Sequence, residues 1–107
     1  MSTPSTRAHA ARVLAAKRWY VYLLSCRNGA IYTGIARDVA ARFAQHAAGT
    51  GARYTRANPP VEILARFRCA SQSEASRLEA AIKKLSATDK RRLVGRTGVA
   101  VRKVLFG

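Results

Sequence analysis

Residues 19–35 read WYVYLLSCRNGAIYTGI, two runs of β-branched and aromatic residues joined at Arg27-Asn28-Gly29. Such runs on either side of an Asn-Gly predict a β-hairpin. Loop length sets its register. A two-residue Asn28-Gly29 loop would put Tyr22 and Tyr32 on opposite faces of the sheet, whereas a three-residue Arg27-Asn28-Gly29 loop puts both on one face. The longer loop also pairs Tyr22 with Gly34, and a bare glycine beside a tyrosine leaves room for its ring to lie across the sheet. That register is the expected one.

Downstream of the hairpin, Asp38 is placed to cap a helix whose Val39, Phe43 and alanines face a core, and Gly49 to close it. Arg42 and His46, four apart, share one side of that helix. Residues 50–58 read as a basic loop. After Pro59-Pro60 a third strand is expected, with Val61, Ile63, Ala65, Phe67 and Cys69 on one apolar face and Glu62, Leu64, Arg66 and Arg68 on the other. Ser71-Gln72-Ser73-Glu74 has capping-box spacing. With Ala75, Leu78, Ile82 and Leu85 recurring at steps of three and four, it predicts a second helix to about Leu85 that packs on the sheet. Residues 86–94, stopped by Gly95, predict a short third helix; the tail through Val99, Val101 and Val104 reads as an edge strand or as a frayed end.

A chain of 107 residues that is 49% hydrophobic has enough apolar material for one core, which excludes wholesale disorder. We divide it into a basic, acid-free arm over residues 1–18, frayed or forming a short helix around residues 10–17, a domain over 19–95 and a tail over 96–107. Twenty Lys and Arg against five Asp and Glu give a formal charge of +15, which favours a polyanionic partner, most simply a nucleic acid. No apolar run reaches the roughly 20 residues of a membrane span, so the expectation is a soluble, cytoplasmic protein without a membrane role. Cys26 and Cys69 lack CxxC or Cys/His spacing and read as buried and reduced.

Five acids restrict the chemistry. Asp38 and Glu74 have capping positions, Asp89 sits near the start of the last short helix, and Glu62 lies on the polar side of a strand. Glu79 borders the buried stripe of its helix, where a carboxylate suits Mg²⁺ or Mn²⁺ with water and phosphate completing the shell; an ordinary i, i+4 ion pair with Lys83 explains it as well. Tyr22 and Tyr32, Arg42 and His46 each have an equally plain structural reading: packed strand rings, a solvated helix face, a helix-end imidazole.

Taken together, Tyr-Val-Tyr at 20–22, Tyr-Thr-Gly at 32–34, Arg42, His46 and a helix carrying Glu79 resemble the GIY-YIG nuclease family, over residues 20 to about 85. The stretch from Gly49 to Arg56 is most similar to its small single-domain members. The resemblance implies an α+β fold, a small three-stranded antiparallel sheet flanked by helices, and metal-dependent hydrolysis of phosphodiester bonds, with DNA as substrate. By position, it makes Tyr32 the general base, Tyr22 the group that orients the network, Arg42 the phosphate stabiliser and Glu79 the ligand of a single Mg²⁺ or Mn²⁺; His46 shares the base role or binds phosphate. Gly34, Arg37, Arg53, Tyr54 and Arg56 form the expected substrate-contacting set. Tyr20 and Thr33 replace the glycine and isoleucine of the motif names, and Ile35 stands where the excinuclease C type carries a lysine, so an assisting cation must come from elsewhere, with Arg37 and Arg53 as candidates. The alternative is a nucleic-acid-binding module with little or no catalysis that relies on a partner protein for targeting.

Overall fold

A computed structural model of the chain describes residues 18–107, so the short helix expected around residues 10–17 lies outside the described residues. Strand β1 (Trp19–Cys26) pairs antiparallel with β2 (Ile31–Ala36) on one side and with β3 (Pro60–Cys69) on the other, giving the order β2-β1-β3. The hairpin takes the three-residue loop: Cys26 N–H donates to Ala30 O at 3.0 Å and Gly29 N–H to Cys26 O at 2.9 Å. Gly29 has φ of +82°, a left-handed conformation that glycine enters without a Cβ penalty. Tyr22 consequently faces Gly34, and Leu24 faces Tyr32.

As the central strand, β1 is buried on both faces. Val21 and Leu23 join Phe67, Leu78, Ile82 and Val101 in one core, while Tyr22 and Leu24 join Val39, Phe43 and Ile63 in a second, smaller one. The third strand departs from its expected single apolar face. Leu23 faces Ala65 but Leu24 faces Ile63, so Leu64 is an extra residue and the strand bulges. A bulge shifts the alternation by one. Ile63 therefore turns to the tyrosine face, Ala65, Phe67 and Cys69 stay with the larger core, and Val61 is left 60% exposed.

Helix α1 (Val39–Ala47) starts at Asp38, whose Oδ1 accepts from Ala41 N–H at 3.0 Å, and covers the tyrosine face. The presumed basic loop contains a single-turn helix, α2 (Arg53–Ala57), too short to leave an apolar period in the sequence. Helix α3 (Gln72–Lys83) packs on the opposite face through Ala75, Leu78 and Ile82. At its start Ser71 Oγ accepts from Glu74 N–H at 3.1 Å, but the returning carboxylate accepts from Ala70 N–H at 2.7 Å, one residue earlier than a capping box requires. After α4 (Ala87–Arg92) the tail is neither strand nor frayed. It forms α5 (Gly98–Phe106), capped by Thr97 and anchored by the buried Val101 against the larger core.

Both cysteines are free and buried, and burial pushes both thiols above their ordinary range. Among the described residues no helix is long and apolar enough to cross a membrane.

Candidate active site

The site is built over the glycine of β2. A Cβ at Gly34 would collide with the hydroxyl and ring end of Tyr22, so the absence of a side chain lets that ring cross from β1 over its neighbour. Tyr22 is 1% exposed, and its hydroxyl lies 2.9 Å from His46 Nε2 on α1. Tyr32, on the same face and half-buried, sits edge-on to the imidazole, with ring centroids 5.1 Å apart, and 6.3 Å from the Tyr22 ring.

His46 is fixed from behind by residues with no obvious signal in the sequence. Its Nδ1 is 2.6 Å from Thr55 Oγ1, and Thr55 Oγ1 in turn donates to Ala52 O at 2.9 Å. A hydroxyl that gives its proton to a carbonyl must accept from the ring, so these two contacts place the proton on Nδ1 and leave Nε2 to accept from the Tyr22 hydroxyl. Ala52 N–H also approaches Nδ1, at a longer 3.3 Å, the weaker of the two contacts to that nitrogen. Gly51 makes the close approach possible, because a Cβ there would run into the imidazole and into His46 Cα at 2.9 Å. Burial, reinforced by Arg42, lowers the His46 pKa, which keeps the ring neutral and able to accept at pH 7.

Arg42 stands one turn before His46 on α1, with its Nη1 donating to Gln45 Oε1 at 2.8 Å. Burial raises the pKa of Tyr22 to about 12, with the Tyr32 phenol adding to the rise; Arg42 opposes it through a hydrogen bond and its charge, and Glu79 adds to it. Tyr32 is also raised, first by burial, then against Arg42 and with Glu79. The charges of Arg42 on α1 and Glu79 on α3 thus act on both phenols, one on β1 and one on β2. Glu79 follows Leu78 on the helix that packs on the far face of the sheet, with its side chain 21% exposed and Oε1 3.6 Å from Lys83 Nζ.

The expected substrate-contacting residues divide. Tyr54 joins the site: its ring is stacked on Tyr32 at an interplanar angle of 14°, and its hydroxyl accepts from Asn28 Nδ2 at 3.0 Å, which ties α2 to the hairpin loop. Arg53 and Arg56 are exposed on the same short helix. Arg37 does not turn to the tyrosines; its guanidinium lies 5.1 Å from the Trp19 ring centroid. The positive charge acting on both phenols is that of Arg42. On the flank of β2 a groove of about 350 Å³ is lined by Tyr32, Thr33, Tyr54, Lys83 and Lys90. Lys90 Nζ donates to Ile31 O at 3.2 Å, and burial followed by Lys83 lowers its pKa.

Among the described residues no three His, Cys, Asp or Glu side chains cluster as a metal cage. A single partly buried carboxylate whose charge acts on two phenols, and whose ion pair is no closer than 3.6 Å, has the hard oxygen character that suits Mg²⁺ or Mn²⁺ with most of the shell left to water and phosphate. It does not suit zinc, which takes three or four protein ligands.

Known proteins have similar sequences. A UPF0213 protein of Cupriavidus pinatubonensis is 51% identical over 74 residues, covering 69% of this chain and 82% of that one. A UPF0213 protein of Xanthomonas axonopodis pv. citri is 55% identical over 71 residues, covering 66% and 70%. The solution NMR structure of the UPF0213 protein BH0048 from Bacillus halodurans is 42% identical, covers 71% of this chain and 81% of its own, and superposes with a TM-score of 0.45. The family model of the GIY-YIG catalytic domain matches residues 18–92, the span that contains the tyrosine pair, α1 and Glu79. With that match over most of its length and relatives above half identity, this chain belongs to the GIY-YIG family.

Proposed function

We propose that the protein is a metal-dependent endonuclease that hydrolyses phosphodiester bonds of DNA at the face shared by Tyr22, Tyr32, Arg42, His46 and Glu79. The observation that carries this reading is the passage of Tyr22 over Gly34, which brings its hydroxyl to His46 of α1 on the face shared with Tyr32. Tyr32 is the general base. Its hydroxyl has no side-chain hydrogen bond among the described residues and its ring is only half-buried, whereas the Tyr22 hydroxyl is already committed to His46. Tyr22 holds the network by giving its proton to Nε2 in a hydrogen bond, and Thr55 keeps the ring from turning.

Arg42 offers a planar, permanently charged fork to the phosphate oxygens, where negative charge grows as the phosphorus becomes pentacovalent. Glu79 is the residue that would hold Mg²⁺ or Mn²⁺, and such an ion, when bound, lowers the pKa of nearby oxygens and stabilises a departing alkoxide. Burial holds both phenols above the ordinary tyrosine value, so the fraction of Tyr32 ready to take a proton is small at pH 7 and grows with pH.

The test is cleavage of single-stranded, duplex and branched DNA, and of RNA, with Mg²⁺, Mn²⁺ or EDTA, by the unaltered protein and by Glu79→Ala and Tyr32→Phe. Metal-dependent cleavage that both substitutions abolish while binding persists is the expected result. Cleavage that survives both variants refutes the assignment of roles. Tight, salt-sensitive binding without cleavage on any substrate would instead identify a binding module.

A further inference from the structure

A second concave, basic surface lies at the other edge of the sheet, away from the tyrosine hydroxyls. It is a cleft of about 780 Å³ whose walls include Arg18, Tyr20, Arg66, Arg68 and Arg102, with Gly98 at the start of α5 closing one side. Nothing in the proposed chemistry uses it.

Its construction is specific. Arg66 and Arg68 alternate on β3, opposite Tyr22 and Tyr20 of β1, and therefore project from the same sheet face as the two tyrosines. Both are exposed. Arg102 is spent on structure: its Nε lies 2.9 Å from Glu74 Oε1 and its Nη1 donates to Arg68 O at 3.0 Å, which braces the wall. Gly98 is packed so closely on β3 that a Cβ would meet the Arg68 carbonyl oxygen at 2.5 Å, so α5 is held hard against the strand. Glu74 is the acid that meets the cleft wall, and Arg102 neutralises it. Among the described residues no carboxylate pairs with the guanidiniums of Arg18, Arg66 and Arg68, which leaves positive charge on a curved surface, the arrangement that takes phosphate oxygens.

We infer that the cleft along β3 is a second nucleic-acid subsite, which grips the phosphate backbone of the same substrate at a distance from the bond to be cut. In naming that substrate it rests on the proposed function. The spacing agrees. Residues i and i+2 of a strand are about 6.8 Å apart, and one DNA strand carries a phosphate per about 3.4 Å of axis, so Arg66 and Arg68 engage separate phosphates of one strand. Two strand spacings of about 4.8 Å separate β2 from β3, which sets the subsites about three nucleotide rises apart. A dinucleotide seated at the tyrosines does not reach the cleft; a duplex of 20 base pairs spans both.

Binding in EDTA tests this without any turnover. The double variant Arg66→Gln, Arg68→Gln is compared with Arg77→Gln, Lys84→Gln, which removes the same charge from the exposed side of α3, on the far face of the sheet. For a 20-base-pair duplex, losing two phosphate contacts should flatten the slope of log K against log salt by about 1.8, and weaken binding about 8-fold per contact at 0.1 M salt. The control pair should move the slope much less, and neither pair should change affinity for a dinucleotide by a comparable factor. Equal changes from the two pairs, or no duplex binding by the unaltered protein, overturn the cleft. A protein that never cuts DNA but shows the difference keeps the cleft and loses the hydrolase; one that cuts but responds alike to both pairs does the reverse.

Discussion

Gly34→Ala should be the most telling single substitution in the domain. In an ordinary strand, replacing glycine by alanine stabilises by about 0.5–1 kcal/mol, because glycine loses more backbone freedom on folding. Here the new methyl enters space held by the Tyr22 hydroxyl and ring. The ring cannot step aside cheaply, being 1% exposed, packed with Leu24 and Val39, and bonded to His46. Overpacking of this kind costs about 1–3 kcal/mol, leaving a net loss of about 1–2 kcal/mol and a fall in Tm of roughly 5–10 °C. In a Tyr22→Leu background the obstruction is gone, and the same Gly34→Ala change should become neutral or stabilising. Thermal unfolding of the four proteins gives the coupling directly. Alkaline titration of tyrosinate absorbance gives a second reading: a Tyr22 ring pushed out of its slot should titrate below the value of about 12 it has in the native site. An unchanged cost in both backgrounds, or stabilisation of the native protein by Gly34→Ala, would refute the crossing of Tyr22 over β2 and the site built on it.

Thr55→Val keeps the shape of a buried side chain but removes the hydroxyl between His46 and Ala52 O; it should cost about 1–3 kcal/mol in urea unfolding and lower cleavage by freeing the imidazole. His46 has a folded pKa below its ordinary value of 6.5, so its neutral form contributes stability that is complete above about pH 6.5 and is lost as pH falls toward the folded pKa; the urea midpoint should decline in that window and flatten in His46→Asn. With Tyr32 raised above the ordinary phenol value, the cleavage rate should climb about tenfold per pH unit between 7 and 9, and a plateau already present at pH 7 would exclude it as the base.

The hairpin was legible because register obeys a count. A loop of three residues and a period of two are enough to bring both tyrosines to one face and to set Tyr22 against Gly34. Helices α1 and α3 followed from caps and apolar spacing for similar reasons. The bulge at Leu64 was not legible, since Leu at that position suits either face of the sheet and only the fit against Leu24 selects one. Nor was α5, whose valines satisfy a strand pattern and a helix pattern equally until Thr97 caps it and Val101 finds the core. Within the site, Arg42, His46 and Glu79 came from spacing combined with family resemblance, but Thr55 and Gly51 did not. Their contribution is to orient the imidazole, and orientation depends on a contact between α1 and α2 that has no sequence period.

The acids give the strongest link between composition and chemistry. In a chain of charge +15 each of five carboxylates is drawn to a cation or a free N–H, and four of them are so used or lie away from the tyrosines. Asp38 caps α1, Glu74 caps α3 and pairs with Arg102, Asp89 lies 3.3 Å from Arg92, and Glu62 is exposed on β3 opposite Ser25. Among the described acids it is the charge of Glu79 that opposes ionisation of both phenols, and its one ion pair there is a long contact to Lys83. A pair at 3.6 Å with a 54% exposed lysine contributes little. Glu79→Gln should therefore leave the unfolding midpoint within about 0.5 kcal/mol of the native protein. Metal-stimulated cleavage should nevertheless fall by at least about a hundredfold, the scale of losing a group that stabilises transition-state charge. Equal losses of stability and activity would make this residue a structural ion pair, and the tyrosine face would have no acid to hold a cation.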